Sequence, residues 1–299
     1  SDLVAQSGVG EDSGSIPLVA HTNGGLLAKY LLSELQRRKD LGESNLIDSI
    51  DKLVLVATPQ LGTPQAILAM LHGDNQGIAG GLILQPSVAR AFSTNMPGAY
   101  HLLPSAGYFA DTASSAEPVA VPIIRFASSS ERLGNFSIYQ GSIKNAFDLG
   151  RFLTSSLDHR SPPEKSDTDF PAVLLGGLLE KASGYHDILD SFIPTDIPVV
   201  QVVGWGIDTV KAIVYSAKKS CTSVGGLLAR IHLCRARDVL VRTPVFTEDG
   251  DKTVLARSAL GLNSDLQNLF IDLRSANTSS SRLTPNRSHA DIFEVPEVR

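Results

Sequence analysis

The apolar positions of the chain change their period at residue 22. An apolar run over 16–20 has the length and composition of a β-strand, and apolar residues then recur at the spacing of an amphipathic helix. These helical positions are Leu26, Leu27, Tyr30, Leu31 and Leu35. The pattern predicts a strand over 16–20, a tight turn of small and polar residues around Thr22, and a helix over 23–38.

Three further apolar runs predict strands of one mostly parallel sheet. They cover residues 52–57, 197–204 and 270–273. These runs are continuous rather than alternating, which is typical of parallel strands covered on both faces. The chain therefore belongs to the α/β class by its pattern. The loop Thr58–Pro64 ends the 52–57 strand with two prolines and a glycine, and it either lines a site or is an ordinary turn.

The long stretch between the second and third predicted strands predicts a cap. Its short helical patterns are separated by segments rich in Pro, Gly and Ser. These helical patterns cover 66–71, 80–92 and 171–182. We predict that residues 66–195 form a helical cap or lid, inserted into an α/β core made of residues 1–65 and 196–299. Residues Ser1–Gln6 are predicted to end a helix.

Composition excludes several classes of protein. The 299 residues are 42% hydrophobic and 19% charged with a net charge of −5, which argues against disorder and against a basic nucleic-acid surface. No apolar run is long enough to span a membrane, and the N-terminus lacks the pattern of a signal peptide. The chain as given is predicted to be soluble, while an extracellular or cell-envelope location and the oligomeric state stay open.

Two cysteines leave two interpretations. Cys221 and Cys234 lie thirteen residues apart with Gly225 and Gly226 between them, as across a hairpin. They form either a hairpin-closing disulfide, in an envelope or secreted protein, or two inert thiols. No His or Cys accompanies them at the spacing of metal ligands.

The strand–turn–helix around Thr22 has the form of a nucleophile elbow. In the pattern G-x-S-x-G, a sharp turn lifts the nucleophile above the sheet, and the five positions here are Ala20 to Gly24, with Thr22 in the place of serine. The backbone N–H of Asn23 would be one oxyanion donor. The second donor is expected on a loop after an earlier strand, outside this sequence.

An acid and a histidine follow the candidate nucleophile in the order of α/β-hydrolase triads. Asp251 and His289 fit this order, with the imidazole taking the proton of the Thr22 hydroxyl and the carboxylate fixing the imidazole. Taken alone, an Asp-Gly-Asp-Lys turn is usually a solvated hairpin tip, and a single histidine near the end of a chain is usually a surface or capping residue.

The other histidines receive ordinary interpretations. His21, next to the candidate nucleophile, is predicted to be a packing or hydrogen-bonding residue whose side chain leaves the turn on the opposite side. No partner is predicted for His72, His101, His159, His186 and His232.

Four sequence blocks resemble the lecithin:cholesterol acyltransferase-like branch of the α/β-hydrolases, and in particular its bacterial lipase and esterase relatives. The first is the run 19–26, against A-H-S-N-G-G-L in the family. The others are 56–66, 95–105, and 249–254 followed by Ser258. The runs 204–209 and 288–290 are weaker supports, and together the blocks span almost the whole chain.

The resemblance implies an α/β-hydrolase fold and hydrolysis or transfer of acyl groups from lipid or other esters, with no metal or organic cofactor. It places the acid on Asp251, the histidine on His289 and the nucleophile on Thr22. Asp249 is the alternative acid, and Asp208 a weaker one. The implied partner is a small-molecule ester or lipid, with membrane-surface contact through the lid and no nucleic acid.

Two departures from the family pattern lead to further expectations. Such a sheet has several strands before the elbow, so the N-terminal strands are expected to be missing and the sequence to be incomplete. Threonine is β-branched and disfavoured at the positive φ of an elbow, at a cost of about 1–3 kcal/mol. The alternative function is therefore a catalytically degenerate α/β-hydrolase-fold protein that keeps the pocket as a binding or interaction module.

Overall fold

The computed structural model describes residues 15–74, 77–78, 82–83, 85–112, 122–224, 233–263, 266–278 and 287–298. The strands, numbered along the chain, are β1 (Ile16–His21), β2 (Ile50–Val56), β3 (Gly77–Ile78), β4 (Leu82–Ile83), β5 (Ile124–Phe126), β6 (Ser142–Ile143), β7 (Val199–Trp205), β8 (Thr209–Val224), β9 (Leu233–Thr247) and β10 (Gln267–Asp272). The α-helices are α1 (Asn23–Asp40), α2 (Pro64–His72), α3 (Pro86–Asn95), α4 (Pro97–Tyr100), α5 (Ala106–Thr112), α6 (Ala146–Leu153), α7 (Gly176–Leu189), α8 (Ala256–Leu260) and α9 (Leu273–Thr278). Short 3₁₀ segments cover Leu46–Ser49, Phe136–Tyr139 and His289–Glu294.

A four-stranded parallel sheet carries the candidate site. Its order is β1-β2-β7-β10, and every pairing within it is parallel. The carboxyl ends of the four strands therefore lie along one edge, where ligand sites of open α/β sheets form. The α/β class and the mostly parallel sheet are confirmed, and all four strands occur close to their predicted positions.

The parallel sheet is covered on both faces by apolar side chains. One layer joins Leu32 of α1 to Leu53, Leu55 and Val199 of the strands. The other layer packs Val56, Val202 and Ile271 against the segment His289–Glu294 through Ile292. This second layer is what brings the end of the chain against the sheet. Burial of that apolar surface stabilises the contact.

A second sheet, which the sequence analysis did not predict, has the order β6-β5-β8-β9. β8 and β9 pair as a long antiparallel hairpin, and β5 joins β8 in parallel. The hairpin around the cysteines was predicted, but its length and its pairing with strands of the 66–195 stretch were not. Consecutive polar residues such as Lys218, Lys219 and Ser220 interrupt the apolar pattern of β8 and hid the long strand. The domain boundaries at 65 and 195 stay a prediction.

Most of the described chain between β2 and β7 is helical or irregular. Helix α2 matches the predicted piece over 66–71, whereas α7 begins at Gly176, five residues later than predicted, and continues to Leu189. Within the predicted helix over 80–92, Leu82–Ile83 is strand β4 instead, and α3 begins at Pro86, where proline suits the first turn of a helix. None of the helices that the structure describes combines the length and the apolar character needed to cross a bilayer.

Candidate active site

The turn between β1 and α1 holds Thr22 in a strained backbone conformation. Its φ is 49° and its ψ −128°, a region that β-branched residues rarely enter. Backbone bonds fix the turn: Thr22 N–H donates to Val56 O at 3.0 Å, and Gly25 N–H donates to Thr22 O at 2.9 Å. The half-buried Thr22 therefore stands at the carboxyl end of β1, at the N-terminus of an 18-residue helix.

Helix α1 approaches the loop after β2 more closely than a side chain would allow. A Cβ on Gly25 would lie 2.0 Å from Oγ1 of Thr58, whereas a Cβ on Gly24 would meet nothing within 4 Å. Thr58 is buried, and its hydroxyl has no hydrogen-bond partner among the residues that the structure describes. Gly25, not Gly24, is therefore the glycine that the packing of the turn requires.

Asp251 and His289 meet in a buried hydrogen bond. Nδ1 of His289 lies 2.7 Å from Oδ2 of Asp251, and His289 N–H donates to Asp251 O at 2.9 Å. The other carboxylate oxygen accepts from the backbone N–H groups of Thr253 and Val254, at 3.0 and 2.8 Å. Because the ionised carboxylate only accepts, Nδ1 carries the proton and Nε2 of the neutral ring is left as the acceptor.

Two glycines make room for this acid. Gly204 of β7 lies against Asp251, where an added Cβ would come within 2.9 Å of the Asp251 Cβ. A Cβ on Gly250 would lie 2.5 Å from Oγ1 of Thr209. Asp251 is consequently 1% exposed, and its backbone forms an isolated parallel bridge with Ile207, two residues after β7.

The two alternative acids do not reach the histidine. Neither Asp249 nor Asp208 hydrogen-bonds His289 among the described residues, and the ion pair of His289 is with Asp251. Burial raises the pKa of Asp249, whose backbone N–H and C=O bond instead within the Thr247–Ala256 turn.

His21 contacts His289 directly, so the prediction that it is a packing or hydrogen-bonding residue is confirmed. Nε2 of His21 donates to His289 O at 3.0 Å, and the two rings stack with centroids 5.0 Å apart at 30°. Phe293 packs edge-on against His21 at 5.4 Å. Burial lowers the pKa of His21, and the neighbouring His289 lowers it further.

His21 precedes Thr22 in the sequence and stacks on His289, so it places the candidate nucleophile and the histidine near each other. The two are not hydrogen-bonded to each other. Within the described part of the chain, no hydrogen bond joins the Thr22 hydroxyl to the His289 ring. Catalytic hydrogen bonds often tighten only when substrate binds. Asn23, the predicted oxyanion donor, is the first residue of α1, where backbone N–H groups lack helical partners.

An apolar cavity of about 400 Å³ begins at the N-terminus of α1. Asn23 and Gly24 lie at one end, and the exposed face of α1 forms one wall. The facing wall comes from α7 and from α4 with the residue that follows it, and it is lined by Gly98, His101, Tyr185 and Leu189. Tyr185 packs edge-on against Tyr30 and also contacts His101. His101, for which no partner was predicted, is therefore a cavity residue.

A larger cavity of about 700 Å³ lies on the other side of α7, between α6 and α7. None of Thr22, Asp251 and His289 lines either cavity, but the smaller one reaches Asn23, the residue after Thr22, and the larger one does not. Ser105 and His186 stand at the wall of the larger cavity, and both bond to the buried Asp190, at 2.6 and 2.8 Å. The smaller cavity is therefore the one that adjoins the candidate nucleophile.

Hydrogen bonds join the loop Thr58–Pro64 to the two other sequence blocks, 95–105 and 249–258. The Ser258 hydroxyl donates to Gly62 O at 2.6 Å, and Thr63 Oγ1 donates to Thr253 O at 2.6 Å. Thr63 N–H donates to Leu102 O at 2.8 Å. The loop Thr58–Pro64 is thus buried and ties three blocks together, as a structural element rather than as a wall of the 400 Å³ cavity.

Several other sequence predictions concern residues away from this cluster. His72 bonds to Tyr215 and Thr168, and His186 bonds to Asp190 and to His101 O, so the structure gives both histidines partners that the sequence did not indicate. His159 is exposed. His232, Ser1–Gln6 and the side chains of Cys221 and Cys234 lie outside what the structure describes.

Comparison with known proteins identifies the family. The sequence model described as lecithin:cholesterol acyltransferase matches residues 6–265. The chain belongs to the lecithin:cholesterol acyltransferase family. Among solved structures, this family member is similar to a chain of "The crystal structure of Tle4-Tli4 complex", with a TM-score of 0.52 and 14% identity. That match covers 95% of the family member and 57% of the other chain, and at this identity it supports the fold alone. A comparison with curated proteins found no match.

Proposed function

We propose that this lecithin:cholesterol acyltransferase family member cleaves lipid-type esters through an acyl-enzyme on Thr22, with His289 as the base and Asp251 as the acid. The observation that carries the proposal is the His289–Asp251 hydrogen bond, with the His289 ring stacked on the residue adjacent to Thr22. The backbone of Thr22, at φ 49°, is the kind of strained conformation that clusters at functional sites.

The proposed reaction has two balanced steps. Oγ1 of Thr22 attacks the acyl carbonyl carbon while Nε2 of His289 takes the hydroxyl proton, and His289 then returns it to the leaving alkoxide. This leaves an ester on Thr22 and a free alcohol. In the second step water, or an acceptor alcohol, attacks that ester with His289 taking its proton, and the acid or the new ester leaves as Thr22 regains its hydrogen.

Charge at the reacting oxygen is proposed to be stabilised by the N-terminus of α1. The backbone N–H of Asn23 points from the first helical residue, where the helix dipole is positive. A developing oxyanion beside Thr22 would therefore meet a fixed donor. Asp251 steadies the imidazolium that forms, because its buried carboxylate is held by two backbone N–H groups and cannot rotate freely.

The 400 Å³ cavity is proposed to hold the acyl chain. It starts at Asn23 and is walled by Leu26, Leu27, Tyr30 and Leu189, so a chain attached to the carbonyl at Thr22 would run along apolar surface. Leu27 of α1, which lines this cavity, is 69% exposed, and Ile188 of α7, next in sequence to the cavity residue Leu189, is 50% exposed. These exposed apolar groups, one on the core helix α1 and one on the cap helix α7, support contact with a lipid surface.

Covalent labelling tests the proposal. Wild-type protein, Thr22→Ser and Thr22→Ala are treated with a fluorophosphonate probe and assayed on short-chain and long-chain esters. We expect wild type to be labelled and active, Thr22→Ser to be more active because the crowding methyl is removed, and Thr22→Ala to be unlabelled, with activity reduced by about 10³-fold or more.

Two results would count against the proposed chemistry. Unlabelled, inert wild type beside an active Thr22→Ser would mean that the site is retained only for binding. Equal activity of wild type and Thr22→Ala would remove Thr22 from the mechanism. Mass spectrometry of the labelled peptide identifies the modified residue directly.

A further inference from the structure

We propose that His21 is a positioning residue, which holds the imidazole of His289, the proposed general base, in place relative to the hydroxyl of Thr22. The inference rests on the proposed function, since it concerns how His289 is aimed. His21 is the last residue of β1 and Thr22 is the next residue, so any contact of His21 with His289 ties the base to the turn itself.

His21 holds His289 by two different contacts. Its Nε2–H donates to the main-chain oxygen of His289 at 3.0 Å, which fixes the peptide that carries the base. Its ring lies at 30° to the His289 ring with centroids 5.0 Å apart, which covers one face of that imidazole and hinders its rotation. Because a carbonyl oxygen only accepts, Nε2 of His21 must carry a proton.

The ring of His21 is in turn held by the segment it supports. Phe293 packs edge-on against it at 5.4 Å, so His21 sits between two side chains of His289–Glu294. The charged or titratable groups that act on His21 are His289 and Asp251. Burial and His289 lower the pKa of His21, and a neutral ring is the state that can stack on the imidazolium formed during catalysis.

Asp251 alone leaves one freedom in the base. Its bonds to Nδ1 and to the backbone N–H of His289 set the tautomer and one end of the ring. Small rotations of the ring about its Cβ–Cγ bond remain, because a hydrogen bond tolerates some change of angle, and these rotations displace Nε2. Stacking by His21 is a contact that restricts them. A displacement of about 1 Å at such a site can cost about 10²-fold in rate.

Three substitutions separate the two contacts. His21→Gln keeps a side-chain N–H donor without a ring, His21→Phe keeps a ring without the donor, and His21→Ala removes both. We expect kcat to fall by about 10²-fold in His21→Ala and by less in the other two, with KM changed less than about threefold. His159→Gln, at an exposed histidine, is the matched control and should leave both parameters unchanged.

A measurement that needs no activity accompanies the kinetics. In protein with ¹³C-labelled histidine rings, the His289 signals, assigned with His289→Gln, should show a rigid ring in wild type and a more mobile ring, with a lower order parameter, in His21→Ala. The Nδ1–H tautomer, which Asp251 sets, should be the same in both. Unchanged mobility of the His289 ring in a folded His21→Ala overturns the inference. If wild type proves inactive while His21→Ala still gives a mobile His289 ring, the proposed function fails and the positioning role of His21 stands.

Discussion

At the scale of single residues, Thr22 combines two opposing features. Its backbone has the strained geometry expected of an elbow nucleophile, yet its branched side chain is of the type that this geometry disfavours. The strain is held by bonds to neighbouring backbone, such as Thr22 N–H to Val56 O. Threonine raises the energetic cost of this turn. The proposed role of its hydroxyl as the nucleophile gives a reason for keeping it, and the local fold gives none.

The choice of acid can be tested at the same scale. Asp251→Asn should lower kcat/KM by about 10⁴-fold, because an amide can hold the wrong tautomer of His289. Asp249→Asn, two residues away and without a bond to the histidine, is the matched control and should retain most activity. Steady-state kinetics on one ester substrate decides the matter, and a larger loss in Asp249→Asn than in Asp251→Asn would reassign the acid.

At the scale of elements, the packing of α1 against the loop after β2 sets the position of the turn. Only a glycine at residue 25 allows this approach, because the buried Thr58 side chain occupies the space that a Cβ would need. The same loop is tied to two other blocks by Ser258 and Thr63. The turn, the loop and the acid-bearing segment thus form one connected support.

Paired glycine substitutions measure this packing. Gly25→Ala should reduce the free energy of unfolding by about 2 kcal/mol or more, since overpacking must displace Thr58. Gly24→Ala, with open space around its Cβ, should be neutral or stabilising by up to about 1 kcal/mol through helix propensity. Urea denaturation of both variants gives the comparison, and equal effects of the two would show that the close approach is not costly to disturb.

At the scale of the whole molecule, a buried cation couples stability to pH. Lys29 of α1 is 2% exposed and donates to Gln60 Oε1 at 3.0 Å, and burial lowers its pKa to about 8. The unfolded chain takes up this proton near pH 10.5, so between pH 10.5 and 8 the unfolded state binds more protons than the folded one. Stability from this group therefore falls as the pH falls through that range and is constant below it.

Lys29→Met isolates the effect. At pH 7 the buried charge costs about 3 kcal/mol, and the lost hydrogen bond of Gln60 offsets about 1–2 kcal/mol, so the variant should be more stable by about 1–2 kcal/mol. At pH 10 its stability relative to wild type should be about 2 kcal/mol lower than at pH 7. Urea titrations at both values test this, with the exposed Lys181→Met as control, and a pH-independent difference would contradict it.

The sequence predicted the parallel sheet and the family because both depend on local patterns. Strand runs such as 52–57 are continuous and apolar, and the candidate acid and histidine follow from their order and their block residues. Local patterns could not predict the contact of His21 with His289, since it joins residues 268 positions apart. The second sheet was missed because runs of polar residues interrupt the apolar pattern of β8, and because its pairing with β5 joins segments far apart in the sequence. The catalytic roles of Thr22, Asp251 and His289 stay predictions.

The contact between His21 and His289 also bears on how the protein folds. Pairing of β1 with β2 joins neighbouring segments, but closing the site requires two parts of the chain 268 residues apart to meet. Closing so long a loop costs conformational entropy before the contact can stabilise the folded state. Non-local contacts of this kind slow folding. In refolding, the sheet should therefore begin to form before the site is complete, so recovery of the site reports the last stage of folding.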